Sequence, residues 1–121
     1  MGYYVKTDGV TVAVGIVEQS VIAPFSTRGE DLALIIIENL SVTETFNGYV
    51  WSSPNGNNGW VVEDNDAFVG ILPMKSRRLL LPADRINLRL LGNFVAAPDN
   101  VRVTVYVLHN AVWTPAALTS R

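Results

Sequence analysis

Residues Val101-Arg102-Val103-Thr104-Val105-Tyr106-Val107-Leu108 alternate valine with other side chains over a full strand length. Successive strand residues point to opposite faces, so four valines line one side while Arg102, Thr104 and Tyr106 line the other. A helix would scatter those valines around its whole circumference, and their branched Cβ atoms favour extended backbone. Arg85-Ile86-Asn87-Leu88-Arg89-Leu90-Leu91 repeats the pattern, with Ile86, Leu88 and Leu90 inward. Two such strands commit the chain to sheets with one buried face each.

The remaining apolar runs alternate with turn clusters at intervals of roughly 8–12 residues, the spacing of a sandwich or barrel. They are Val10–Val17, Leu32–Asn39, Phe46–Ser52, Trp60–Glu63, Ala67–Leu72 and Arg77–Leu81. Asp8-Gly9 is a hairpin-type turn, which leaves Tyr3–Lys6 as a short strand or an arm. Asn47-Gly48 is a tight turn or a bulge within its run. Leu32–Asn39 has a rival reading, because Thr27 and Glu30 fit a capping box. Gly29 inside that box and three consecutive isoleucines, Ile35–Ile37, favour strand.

About eight strands with no helix, repeat or linker predict an all-β, single-domain antiparallel two-sheet sandwich over 1–121, jelly-roll-like. Short arms are expected at 1–9 and 112–121, the second because Thr114–Arg121 is too Pro/Ala-rich and polar for a strand. Leu34–Ile37 and Leu79–Leu81 do not alternate, so they place large aliphatics on an outer face. The whole chain is 49% apolar and only 17% charged, where soluble domains carry roughly 25% charged residues. A small domain needs polar residues to cover itself. The shortfall predicts a partner: obligate self-association or incorporation into a larger assembly.

Composition also removes chemistries. There is no cysteine, hence no disulfide framework, thiolate nucleophile or Cys-based zinc site, and His109 is the single histidine. A general base needs a nucleophile or water positioned by other groups, and no motif supplies them around His109. An enzyme is not expected, nor any cofactor. Net charge of -2 argues against nucleic acid. No run has the length of a membrane span, and Met1–Lys6 lacks the apolar core of a signal peptide. Asn39-Leu40-Ser41 is formally a glycosylation sequon, taken as coincidental.

The one candidate ligand site is the loop Ser52-Ser53-Pro54-Asn55-Gly56-Asn57-Asn58-Gly59 between Trp51 and Trp60. Tyr49, Trp51 and Trp60 are suited to stacking on a sugar ring while the amides of Asn55, Asn57 and Asn58 bond hydroxyls, which would make the chain a carbohydrate- or receptor-binding module. Against this stands the plainer reading, in which the tryptophans cap the core or sit in a subunit interface. Glu63-Asp64-Asn65-Asp66 clusters hard oxygens but lacks the spacing of an EF-hand loop, so no metal is assigned. Arg77, Arg78, Arg85, Arg89 and Arg102 recur on successive strands and suit an outer face paired with carboxylates, or an interface rim.

The order of segments is similar to the small β-sandwich domains of tailed-phage virion proteins. Ile35-Ile36-Ile37-Glu38-Asn39-Leu40-Ser41 resembles their strand ending in an Asn-x-Ser turn. Tyr49-Val50-Trp51-Ser52-Ser53-Pro54-Asn55-Gly56 resembles the next strand and its polar loop, and Val101–Val105 resembles the closing strand. The resemblance spans roughly residues 30–109. Where such domains often carry Pro-Gly before the fifth strand, this chain has Asp64-Asn65-Asp66. It implies a non-enzymatic capsid decoration (cement) protein, or a piece of tail or fibre, commonly a homotrimer. Its partners would be further copies of itself and the major capsid protein or another virion protein. Its place would be the virion, assembled in the host cytoplasm.

Overall fold

The computed structural model describes residues 2–27, 32–63, 66–82 and 87–109, with residues 2–7, 108 and 109 described through their backbone alone. The eight strands are β1 (Gly2–Val14), β2 (Gln19–Ser26), β3 (Leu32–Asn39), β4 (Phe46–Ser53), β5 (Val61–Val62), β6 (Ser76–Pro82), β7 (Asn87–Phe94) and β8 (Asp99–His109). They form two four-stranded antiparallel sheets, ordered β1-β8-β3-β6 and β2-β7-β4-β5. Every connection except β4–β5 crosses from one sheet to the other, which is the winding of a jelly roll. The all-β, two-sheet sandwich expected from the sequence is the architecture observed.

Period two governs the core. In β3 and β7 every second residue is buried, and Val101, Val103, Val105 and Val107 of β8 are all buried. Their inner faces meet around Phe46, Phe68 and Phe94, with the Phe46 and Phe94 rings edge-to-face at 5.4 Å. Leu34 and Ile36 on the opposite side of β3 are half-buried, and Leu80 beside Leu34 on β6 is exposed. The outer face of the first sheet therefore carries aliphatics, as the non-alternating runs indicated.

Four local expectations are corrected. Residues 2–9 do not form an arm apart from the sheet: β1 runs unbroken from Gly2 to Val14 alongside β8. Asp8-Gly9 is consequently no hairpin turn; the register shifts between Thr7 and Val10, and Gly9 takes φ 62° there, a left-handed bulge position that favours glycine. Asn47-Gly48 is plain strand interior paired to Asn93-Gly92. Ala67–Leu72 is a turn plus one bridge, Phe46 to Ile71, and it plugs the sandwich with Phe68 and Ile71 instead of adding a strand. The strand that replaces it in the count is β2. The arm expected at 112–121 lies outside the described residues.

The turns β1–β2, β3–β4 and β7–β8 share one end of the sandwich with the entry to β6, and hydrogen bonds lock them together. Asn39, which is buried, organises this end: its Nδ2 donates to Glu44 O (2.7 Å) and Ile71 O (2.9 Å), and its Oδ1 accepts from Ser41 N (2.9 Å). Glu44 Oε1 accepts from the Ala96 and Ala97 amides, and Gly15 O accepts from Phe94 N. An asparagine with its amide spent inside the fold has none left for a glycan, so the sequon is structural.

Candidate functional site

The opposite end carries the tryptophan-framed loop. β4 places Tyr49 and Trp51 on the outer face of the second sheet, and register sets Trp51 beside Arg89 of β7 and Val62 of β5. The Arg89 guanidinium carbon lies 4.3 Å from the Trp60 ring centroid and 5.5 Å from that of Trp51. A cation held against two indoles is attracted by both ring quadrupoles, worth about 0.5–2 kcal/mol depending on how dry the contact is. Trp51 Nε1 and Arg89 Nε are both buried without a hydrogen-bond partner among the described residues, so neither atom adds a bond to the stack.

Loop geometry follows from short side chains bonding back to backbone. Ser53 is buried, and its hydroxyl accepts from Gly56 N (2.9 Å) and donates to Asn58 O (2.5 Å). Asn55 Oδ1 accepts from Asn57 N (2.9 Å) and Asn58 N (3.1 Å), and its Nδ2 donates to Asn58 Oδ1 (3.0 Å). These are Asx and Ser turns of the kind that make Asn and Ser turn residues. Gly56 sits at φ 79°, a left-handed conformation that favours glycine, and a Cβ there would stand 3.1 Å from the Asn87 side chain, which would have to shift.

The structure thus brings Trp51 and Trp60 to one guanidinium, that of Arg89. Tyr49, two residues before Trp51 on the same face, is 36% exposed. Asn57 is exposed at the tip, whereas the Asn55 amide is engaged in building the loop. Arg89 was visible in the sequence only as one of several strand arginines; its position opposite Trp51 is a fact of register. Replacing Arg89 by methionine is expected to shift tryptophan emission and to lower stability by about 1 kcal/mol. An emission spectrum indistinguishable from wild type would show that the stack is not populated in solution.

The other sequence candidates are scattered. Glu63 accepts a hydrogen bond from Ser52 Oγ at 2.6 Å, while Asp64 and Asn65 of the acidic turn lie outside the described residues. Among the described residues no three His, Cys, Asp or Glu side chains gather around a point that could hold a metal ion. Arg102 pairs with Glu38 at 3.4 Å on the exposed face, Arg77 reaches Ala67 O at 3.4 Å, and Arg78 is exposed. Arg85 lies outside the described residues, as does the side chain of His109, whose backbone pairs with Gly2. An open cleft of about 320 Å³ between the β1 and β2 edges is lined, among the described residues, by apolar side chains that include Val10, Val21, Phe25 and Val103, with no acid, base or nucleophile among them.

No protein-family model matches the sequence, and no curated protein sequence matches it. Solved structures do. T=1 particles derived from infectious bursal virus share 8% identity with a TM-score of 0.52, across 97% of this chain and 33% of that one. The Gt strain of infectious bursal disease virus gives 11% and 0.52, across 96% of this chain and 33% of that one. PirA gives 16% and 0.50, across 86% of this chain and 96% of that one. The chain spans about a third of the length of the viral chains it matches. What these likenesses establish is the architecture, a two-sheet β-sandwich shared with chains of a virus particle and with PirA.

Proposed function

We propose that the chain is a non-enzymatic structural component of a virus particle, a capsid decoration (cement) protein that self-associates and clamps neighbouring capsid subunits. The observation that carries this reading is the near-complete match of its sandwich to a domain-sized part of viral particle chains. The surface supports it as well. Aliphatics on the outer face of β3 and β6, in a chain with few charges, suit burial against a neighbour. Assembly as a homotrimer on tailed-phage particles, in the host cytoplasm, rests on the sequence resemblance alone. The carbohydrate-binding alternative has less support, because the Arg89 guanidinium lies against both indoles and the Asn55 amide is spent within the loop.

The test is association with capsids. Purified protein is expected to co-sediment with undecorated capsids and to raise their melting temperature. Capsids that melt at the same temperature with and without a saturating excess of the protein would refute the decoration role. A glycan panel read by tryptophan fluorescence addresses the alternative, for which a response abolished by Trp60→Ala would be needed.

A further inference from the structure

The locked end of the sandwich exposes a row of large apolar side chains. Ile16 and Val17 come from the β1–β2 turn, Val95 from β7–β8, Val42 from β3–β4, and Leu72 and Met74 from the segment entering β6. Their exposures run from 50% (Ile16) to 75% (Val17). The backbone fixes their order. Gly15 O bonds Phe94 N, Thr45 O bonds Val95 N, and Ser41 O bonds Met74 N. These bonds link the β1–β2 turn to the end of β7, that end to the β3–β4 turn, and the β3–β4 turn to the segment entering β6. The row therefore runs from 16–17 through 95 and 42 to 72–74 across both sheets, whose faces pack roughly 10 Å apart. Met74 holds φ 63°, a left-handed conformation that costs a non-glycine residue about 1 kcal/mol, while presenting its side chain outward.

Three quantities say what covers the row. Half to three-quarters of six large side chains amounts to on the order of 650 Å², against roughly 800 Å² per partner in a standard interface. Monomers rarely expose apolar patches beyond roughly 300–600 Å². The hydrogen bonds already hold these turns in place, so docking orders little further chain. Charge then chooses the partner. Exposed Glu18 flanks the row at its Ile16 end and exposed Lys75 flanks it at its Met74 end. A lipid surface is disfavoured, since the row has no tryptophan, tyrosine or arginine and only this one lysine.

We infer that this row is a two-fold contact with a second copy of the chain. A two-fold axis through its centre reverses the second row against the first. Each copy's Glu18 then meets Lys75 of the other, and apolar side chains pack against apolar side chains between them. The inference rests on the self-association in the proposed function and names the surface that carries one contact. A two-fold contact doubles whatever the chain builds elsewhere: a monomer becomes a dimer, a trimer a hexamer.

Light scattering and sedimentation of the full chain at micromolar concentration test it. The mass is expected to be an even number of chains, and Val17→Asp with Val42→Asp to halve it. Both sites are exposed, so circular dichroism and melting should stay as in wild type. Glu18→Lys alone is expected to raise the dissociation constant about tenfold through like-charge opposition, and Glu18→Lys with Lys75→Glu to restore it. An unchanged mass in the aspartate variant overturns the contact while leaving capsid association intact, since that is measured on capsids. A wild-type monomer also overturns it, as does failure of the double charge reversal to rescue. Binding to phosphatidylcholine–phosphatidylserine vesicles without a change in mass would assign the row to lipid and overturn the two-fold contact.

Discussion

Gly92→Ala is expected to destabilise the fold by about 3 kcal/mol, at the upper end of what overpacking a core produces. A Cβ on Gly92 would stand 2.6 Å from Phe46 Cζ and 2.8 Å from the backbone oxygen of Asn47. The ring cannot retreat, because it lies edge-on to Phe94 at 5.4 Å inside the closed core. Nor can the oxygen, which belongs to β4, the strand paired to β7 at this point. Gly70→Ala makes the control. Gly70 has φ 70° and nothing within 4 Å of a built Cβ, so it carries the conformational cost alone, about 1 kcal/mol. Urea unfolding of the two variants gives the comparison. A Gly92→Ala loss no larger than that of Gly70→Ala would mean the two strands part easily at Gly48–Gly92.

Asn39→Ala is expected to cost about 3 kcal/mol, because a buried group left without its partner forfeits its full desolvation cost, roughly 1–3 kcal/mol each. The substitution strands Ser41 N inside the protein, releases Glu44 O and leaves Ile71 O with Phe46 N alone, so the β3–β4 turn loses its side-chain tie to the segment entering β6 and keeps only backbone bonds to it. Asn39→Asp should be comparably harmful despite its matching shape. A carboxylate can still accept from Ser41 N but has no hydrogens for the two carbonyls. The thermal midpoint should fall by on the order of 10 °C in either variant. A midpoint within a degree or two of wild type would show that water replaces the amide and that Asn39 is not the organiser of this end.

Legibility followed periodicity. The strands β3, β7 and β8 were plain because a sheet with one buried face repeats every second residue, and their burial alternates as written. β2 escaped because Gln19–Ser26 buries two adjacent residues, Val21 and Ile22, across a register shift, and contains Pro24, which an edge strand tolerates. Ala67–Leu72 misled for the opposite reason. Its apolar content is a strand's, but Phe68 and Ile71 are three apart and both point inward from a turn. At the tryptophan loop the turn chemistry was readable from Ser, Pro, Asn and Gly. The stacking of Arg89 on the indoles was not, since 38 positions of sequence separate it from Trp51 and only the β4–β7 register joins them. The apolar row was equally hidden, because its members stand singly or in pairs in four turns that topology alone gathers.

The strand order has a consequence for how the protein is made. β8, the last of the eight strands, lies between β1 and β3, and pairs with residues up to about a hundred positions earlier in the chain. Until it emerges, the first sheet has no centre. β1 must wait without a partner strand, and β3 with β6 alone beside it, for nearly the whole of synthesis. Closing loops of that span before any contact rewards them makes folding slow, on the millisecond-to-second scale of all-β domains. A nascent chain stalled before residue 99 is therefore the species most exposed to aggregation, and a chaperone would find its client there.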